Sequence, residues 1–250
     1  MTGRTTGLTN GRVELPRTWL LRAGRPVARV IAGRRCDIRL HGVEHVPRAG
    51  PVILAGNHIG LADGPLLAAY APRPVHALTK HELFSGAGGT FLRTAGQIPL
   101  DRFHPDPTAI RTCLAALDEG RVIGIFPEGR RGPGDLGRFH RGAAYLALVT
   151  GAPVVPVTFL GTREPGGGTN DLPAKGARVD MVFGTPYRLG AVPWPRTREQ
   201  VGQATVLLRR HMLAALEDAL RLTGRELPGP LVPGDEEDDP PTGVSERGTR

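Results

Sequence analysis

The chain has 250 residues, enough for one α/β domain with appendages. Thirty-two Lys and Arg against 24 Asp and Glu give a net charge of +8, and only two of the bases are lysines, Lys80 and Lys175. A basic balance of this kind suits an anionic membrane or phosphorylated substrates, or reflects plain compositional bias; nucleic acid is set aside because aromatics make up only 5% of residues and no stacking or metal-knuckle pattern is present.

Residues 1–14 are polar and are expected to be loose. Residues 15–35 mix Leu15, Trp19, Leu20, Leu21, Val27, Val30 and Ile31 with six arginines, and Pro26 is expected to divide them into two short helical pieces. Two readings stay open for this stretch: amphipathic helices lying in a membrane interface, or a surface helix packed on the body. From Cys36 onward short β-like runs alternate with helical stretches. Strands are expected at 36–43, 51–56, 74–79, 97–101, 121–126, 153–160 and 177–184, and helices at 62–71, 89–95, 106–119, 141–150 and 197–222. Asp106 and Pro107 supply a cap and first turn, and Gly120 a stop. This alternation predicts an α/β fold with a mostly parallel central sheet flanked by helices, its functional loops at the strand C-termini. Residues 161–176, rich in Gly and Pro, read as a flexible loop, and the acidic Pro/Gly-rich segment 228–250 as a disordered tail. The organisation expected is therefore an N-terminal segment 1–35, a main domain 36–227 and a tail 228–250. Cys36 and Cys113 lie far apart in apolar segments, which points to a reducing compartment rather than a disulfide framework. No apolar run reaches the ~18 residues of a membrane span, and the N-terminus lacks a signal-peptide pattern.

Three strand ends carry chemistry. After VILAG comes Asn57-His58-Ile59-Gly60-Leu61-Ala62-Asp63, where a spacing of five allows Asp63 to fold back onto the His58 ring and fix its tautomer, as a general base requires. The same residues also read as a turn histidine and a helix-start aspartate. After VIGI comes Phe126-Pro127-Glu128-Gly129-Arg130-Arg131, whose paired arginines suit a phosphate, while a turn of solvated charges is the alternative. The strand Gly96-Gln97-Ile98-Pro99-Leu100 ends in Asp101-Arg102, which can also be an ordinary ion pair. In Val154-Val155-Pro156-Val157 the internal proline points to a sheet edge or a bulge.

In this order the four pieces resemble the glycerolipid acyltransferase family, of the 1-acylglycerol-3-phosphate (lysophosphatidic acid) acyltransferase type. Asn57, His58 and Asp63 match its Asn-His-x-x-x-x-Asp motif. Gly96, Ile98 and Arg102 match its second motif, Phe126, Pro127, Glu128, Gly129 and Arg131 its third, and Val155 and Pro156 its fourth; the likeness runs from about Gly42 to about Pro186. Two positions depart from the family pattern: Gly60 stands where Ser is frequent, and Arg130 where Thr is usual. The resemblance implies that His58 is the general base with Asp63 as its partner. Arg102, Glu128, Gly129 and Arg131 would hold the glycerol-phosphate part of the acceptor, with Arg130 beside them. Asn57 and Lys80, the latter matching a Lys-x-x-Leu stretch at Lys80-His81-Glu82-Leu83, join the expected substrate-binding set.

The reaction so implied moves a fatty acyl group from an acyl-CoA or acyl carrier protein thioester to a hydroxyl of 1-acylglycerol-3-phosphate, giving phosphatidic acid for phospholipid biosynthesis. No metal or cofactor beyond the thioester co-substrate is expected, since neither a metal-ligand spacing nor a nucleotide-binding glycine fingerprint is present. The partners expected are an anionic membrane surface, a lysophospholipid and the acyl donor, with a peripheral location on the cytoplasmic face of the cell membrane. Other acceptors (glycerol-3-phosphate, another lysophospholipid, a glycolipid), a hydrolase, and a non-catalytic membrane-binding protein are the competing readings.

Overall fold

The computed structural model describes residues 13–235 and the backbone of 244–245. The expectation for the first residues of the chain, and most of that for the acidic tail, lies outside the described residues. Seven strands form one sheet in the order β1-β8-β7-β2-β5-β3-β4: β1 (Asp37–His41), β2 (Val52–Gly56), β3 (Val75–Lys80), β4 (Ile98–Leu100), β5 (Val122–Ile125), β7 (Val154–Leu160) and β8 (Arg178–Phe183). All neighbours pair in parallel except β7 with β8. The central strands read VILAG, VIGI and VVPVTFL and are buried throughout, the continuous apolar pattern of strands covered on both faces. Ile53 and Ala55 of β2 face the core shared with α4 (Pro107–Asp118), α5 (Gly142–Thr150) and α6 (Arg198–Thr223). Val52 and Leu54 face α2 (Asp63–Tyr70) and, beyond it, α1 (Trp19–Arg35).

Helix ends follow local chemistry. Asp106 accepts from the Ala109 N–H at 2.9 Å ahead of Pro107. Thr197 and Gln200 close a reciprocal capping box on α6, and Gly224 ends it at φ 66°. The helix α3 (Gly86–Thr94) starts three residues before its expected position, and within it Gly89 is a packing residue: a Cβ there would stand 2.1 Å from the Phe84 carbonyl. A short antiparallel pair joins β6 (Arg138–Phe139) to β9 (Val244–Ser245).

One proline expectation is corrected, and the other is met in its second form, the bulge. Pro26 does not split the N-terminal segment; α1 runs unbroken through it. The proline denies a hydrogen bond to one carbonyl, that of Arg22, at a position where both residues are exposed and water can replace the donor. Tertiary bonds then hold the helix beyond the proline. Arg29 Nε donates to the Ala69 carbonyl at 2.8 Å, and the Tyr70 hydroxyl donates to the Arg29 carbonyl at 2.9 Å. Pro156, in turn, is not on an edge but in a buried central strand. Val157 pairs with Phe183 whereas Val154 pairs with Tyr187, so the partner chain carries one extra residue opposite Pro156. The missing N–H thus falls at a bulge, where no ladder bond is required of it.

Residues 161–176 contain no helix or strand, yet they are not a loose surface loop. Thr162, Arg163 and Thr169 are buried. Arg163, 2% exposed, donates to four carbonyls: Ile59 (3.0 Å), Gly167 (3.2 Å), Gly132 (3.1 Å) and Gly229 (2.8 Å). One guanidinium therefore ties together the loop after β2, the loop after β5, its own loop and the start of the C-terminal segment. Asp235 reinforces the last tie by accepting from the Thr169 N–H. Replacing Arg163 by Met keeps the apolar stem but leaves these carbonyls without their donor. It should lower stability by about 2–4 kcal/mol in urea unfolding and raise amide exchange in residues 57–60, 129–132 and 161–169 together.

Candidate active site

The loops that follow β2, β4, β5 and β7 converge at one end of the sheet, where strand C-termini gather ligands in folds of this type. Asn57 makes the exit from β2 possible. Its Oδ1 accepts from the Phe159 N–H at 2.7 Å and its Nδ2 donates to the Phe159 carbonyl at 3.2 Å. The side chain thus occupies the place of the next backbone unit in the ladder while the main chain turns away at His58.

His58 is fixed from three sides. Its N–H donates to Glu128 Oε1 (2.9 Å), its carbonyl accepts from the Gly132 N–H (2.8 Å), and its ring stacks on Phe126 with centroids 4.2 Å apart and 23° between planes. Its Nδ1 lies 2.8 Å from Asp63 Oδ2. Asp63, the first residue of α2, is fully buried. The same Oδ2 accepts from the Ile59 and Gly60 N–H groups at 2.8 and 2.9 Å, and the Thr162 hydroxyl donates to Oδ1. A carboxylate that only accepts requires the proton on Nδ1, so in the neutral ring the lone pair lies on Nε2. The ring is 19% exposed, which leaves that lone pair a path to a substrate. Gly60 packs against the loop after β7: a Cβ there would stand 2.8 Å from the Thr162 carbonyl.

The turn after β5 carries the arginines. Gly129 sits at φ 73°, and a Cβ on it would meet His140 Nε2 at 2.6 Å, so the position demands glycine on two counts. Its carbonyl accepts from Arg102 Nη1 at 2.9 Å, which brings the end of β4 against the turn. Arg102 does not pair with its neighbour Asp101, which binds His104 and the Phe103 N–H instead. Arg130 is half-buried; Arg131 is buried and donates to the Thr169 carbonyl and Asn170 Oδ1, both at 2.9 Å. Lys80 ends β3 opposite Leu100, two residues from Arg102. Glu128 is 4% exposed and turned inward onto the His58 backbone. Burial first, with Asp135 and Asp63 adding, pushes its carboxyl up to about 8, against the pull of the His58 N–H and of Arg130.

The residues singled out in the sequence thus come together, and others join them that no local pattern marks. Thr162 and Arg163 lie in a Gly/Pro-rich stretch that reads as loop. Arg138 opens β6 and His140 follows it; Arg138 Nε donates to His140 Nε2 at 3.2 Å, and the His140 N–H donates to the Pro127 carbonyl at 2.7 Å. Two clefts of about 490 and 510 Å³ lie elsewhere, one between α6 and the end of β8, the other beside the end of α1. Neither is lined by any residue of the site.

Residues 37–160, which hold all four motifs, match the family model described as Acyltransferase. The chain is 30% identical over 186 residues to the 1-acyl-sn-glycerol-3-phosphate acyltransferase of Bacillus subtilis, covering 74% of this chain and 90% of that protein. It is 33% identical over 156 residues to a lyso-ornithine lipid O-acyltransferase of Pseudomonas aeruginosa, covering 61% of this chain and 56% of that one. The crystal structure of the 1-acyl-sn-glycerophosphate (LPA) acyltransferase PlsC from Thermotoga maritima superposes with a TM-score of 0.61 at 21% identity, covering 82% of this chain and 80% of that chain, so the fold is shared. With the motif order, the sheet and the extent of the Bacillus match in agreement, the chain belongs to the 1-acylglycerol-3-phosphate acyltransferase family and is an acyltransferase.

Proposed function

We propose that the protein transfers a fatty acyl group from a thioester to the free hydroxyl of 1-acylglycerol-3-phosphate, with His58 as general base. The observation that carries this reading is the 2.8 Å contact between His58 Nδ1 and the buried Asp63, which leaves Nε2 as the basic nitrogen beside an arginine-bearing turn. Nε2 takes the hydroxyl proton as the oxygen attacks the thioester carbonyl. The tetrahedral intermediate then collapses, the C–S bond breaks, and the imidazolium returns its proton to the leaving sulfur. Asp63 stabilises the imidazolium in between. A thioester is already activated, so positioning and proton transfer suffice and no acyl-enzyme is needed. The donor is an acyl-CoA or acyl carrier protein.

The phosphate of the acceptor is the natural anion for Arg102, Arg130 and Arg131 around Gly129, with Lys80 at the neighbouring strand end. The Bacillus relative, named for a glycerol-3-phosphate acceptor, supports this choice. The Pseudomonas relative, named for another lysolipid, makes a different lysolipid the alternative.

The lipid is met at a membrane surface. No helix among the described residues is long and apolar enough to cross a bilayer. The helix α1 instead inverts the usual surface pattern. Its inward side bonds to α2 through Arg25 and Arg29, with Leu21 buried, while Trp19 (57%), Val27 (61%), Val30 (52%) and Ile31 (65%) are exposed. Trp19, Val27 and Val30 share one face at helical spacing, with Ile31 at its margin and the exposed Arg22 and Arg34 to meet lipid phosphates. The protein so placed is peripheral, on the cytoplasmic leaflet.

Three outcomes follow. His58→Ala should lose about 10²–10⁴-fold in kcat with melting unchanged, and Asp63→Asn should also be impaired; near-normal turnover of the first variant overturns the mechanism. Arg102→Ala and Arg131→Ala should each raise the acceptor KM, by about tenfold or more for a phosphorylated acceptor and less for an unphosphorylated one. Equal losses on both acceptors would move the assignment to another lysolipid. Changing Trp19, Val27, Val30 and Ile31 together to Ser should abolish flotation with anionic liposomes while the melting temperature holds. Binding by the parent chain should weaken, but persist, as salt rises. Unchanged flotation of the quadruple variant would exclude α1 as the contact.

A further inference from the structure

We propose that Thr162 is a positioning residue of the catalytic pair, the third member of a His58–Asp63–Thr162 chain; the inference rests on the reading of His58 and Asp63 as catalytic. The asymmetry of Asp63 points to it. Three donors converge on Oδ2, namely the His58 ring and the N–H groups of Ile59 and Gly60, whereas among the described residues the Thr162 hydroxyl is the one side chain on Oδ1. Both Asp63 and Thr162 are 0% exposed, so no bulk water can take the place of that hydroxyl. Removing that hydroxyl leaves Oδ1 buried without a donor, and the carboxylate, still held at Oδ2 by the two N–H groups, loses the second anchor that sets its tilt against the imidazole. A carboxylate is acceptor-only, so the hydroxyl donates and its direction is set.

The surroundings deliver Thr162 to this place with little latitude. Gly161 before it adopts φ 82°, and a Cβ there would meet the Arg178 carbonyl at 2.4 Å. Arg163 after it is held by the carbonyls of Ile59 and Gly132, on the two loops that carry His58 and Glu128. The Thr162 carbonyl itself closes over Gly60. The end of β7 thereby supports the base from behind without touching substrate.

The test is steady-state kinetics on the full chain with an acyl thioester and 1-acylglycerol-3-phosphate. Thr162→Val, which keeps the shape and removes the hydroxyl, should lower kcat about ten- to a hundredfold with acceptor KM changed by no more than about twofold. Thr162→Ser should stay within about threefold of the parent. In an Asp63→Asn background the valine should add less than about threefold, since members of one unit are not additive. Thr205→Val serves as control: that buried threonine bonds the Val201 carbonyl within α6, so its loss should lower melting and leave kcat unchanged. A fully active Thr162→Val, a loss that appears in KM, an inactive Thr162→Ser, or an equal fall in kcat in the Thr205 variant would overturn the assignment. His58→Ala in the same assay separates the failures. If it retains full turnover, the catalytic reading itself falls; if it is inactive beside a fully active Thr162→Val, only the role of Thr162 does.

Discussion

A single buried carboxylate organises this end of the molecule. Removing an ionised group from water is costly unless donors replace the lost hydration, and Asp63 collects them from a ring nitrogen, two backbone amides and a hydroxyl. Those donors belong to two separate stretches of chain, the loop leaving β2 and the loop leaving β7, which the carboxylate joins to the beginning of α2. The same bonds satisfy the N–H groups of Ile59 and Gly60, which have left the sheet and not yet entered a helix. The tautomer of His58 follows from this arrangement.

The other residues near the histidine act in the same spirit, through the main chain. Asn57 extends the ladder with its amide, Glu128 grips the His58 N–H, Arg102 holds the Gly129 carbonyl, and Arg163 gathers four carbonyls. A site made of loops is thereby as well fixed as one made of strands, which the proposed proton transfer over a defined distance would require.

The sheet was legible because its central strands are short unbroken apolar runs, and the helix α4 because Asp106-Pro107 marks its start. The pairing of His58 with Asp63 was legible as a possibility from spacing alone, while family motifs supplied the roles. What could not be read depends on partners distant in sequence. Whether Pro26 breaks a helix turns on Tyr70 and on the Ala69 carbonyl. Whether Pro156 needs an edge turns on one extra residue near Gly184. Thr162 and Arg163 sit among glycines and prolines whose composition says loop, and only the fold shows that this loop passes behind the histidine. The inward turn of Glu128, likewise, is invisible in a motif that places it beside two arginines.

The near-absence of lysine takes on a different meaning once the guanidiniums are traced. Arg73 reaches the carbonyls of Pro47, Gly50 and Gly120; Arg35 reaches that of Pro173, Arg121 that of Pro16, Arg209 that of Leu136 and Arg225 that of Arg178. Much of the basic charge is thus spread through the scaffold as forked braces between stretches of main chain, a task for which the single ammonium of lysine has neither the breadth nor the flat geometry. Because their partners are dipoles rather than opposite ions, counter-ions compete poorly with these braces, and the framework should be indifferent to brine. Reagents that derivatise guanidinium groups would, by the same token, loosen the fold as they silence the enzyme, so inactivation by such chemistry would say little about which arginines meet substrate.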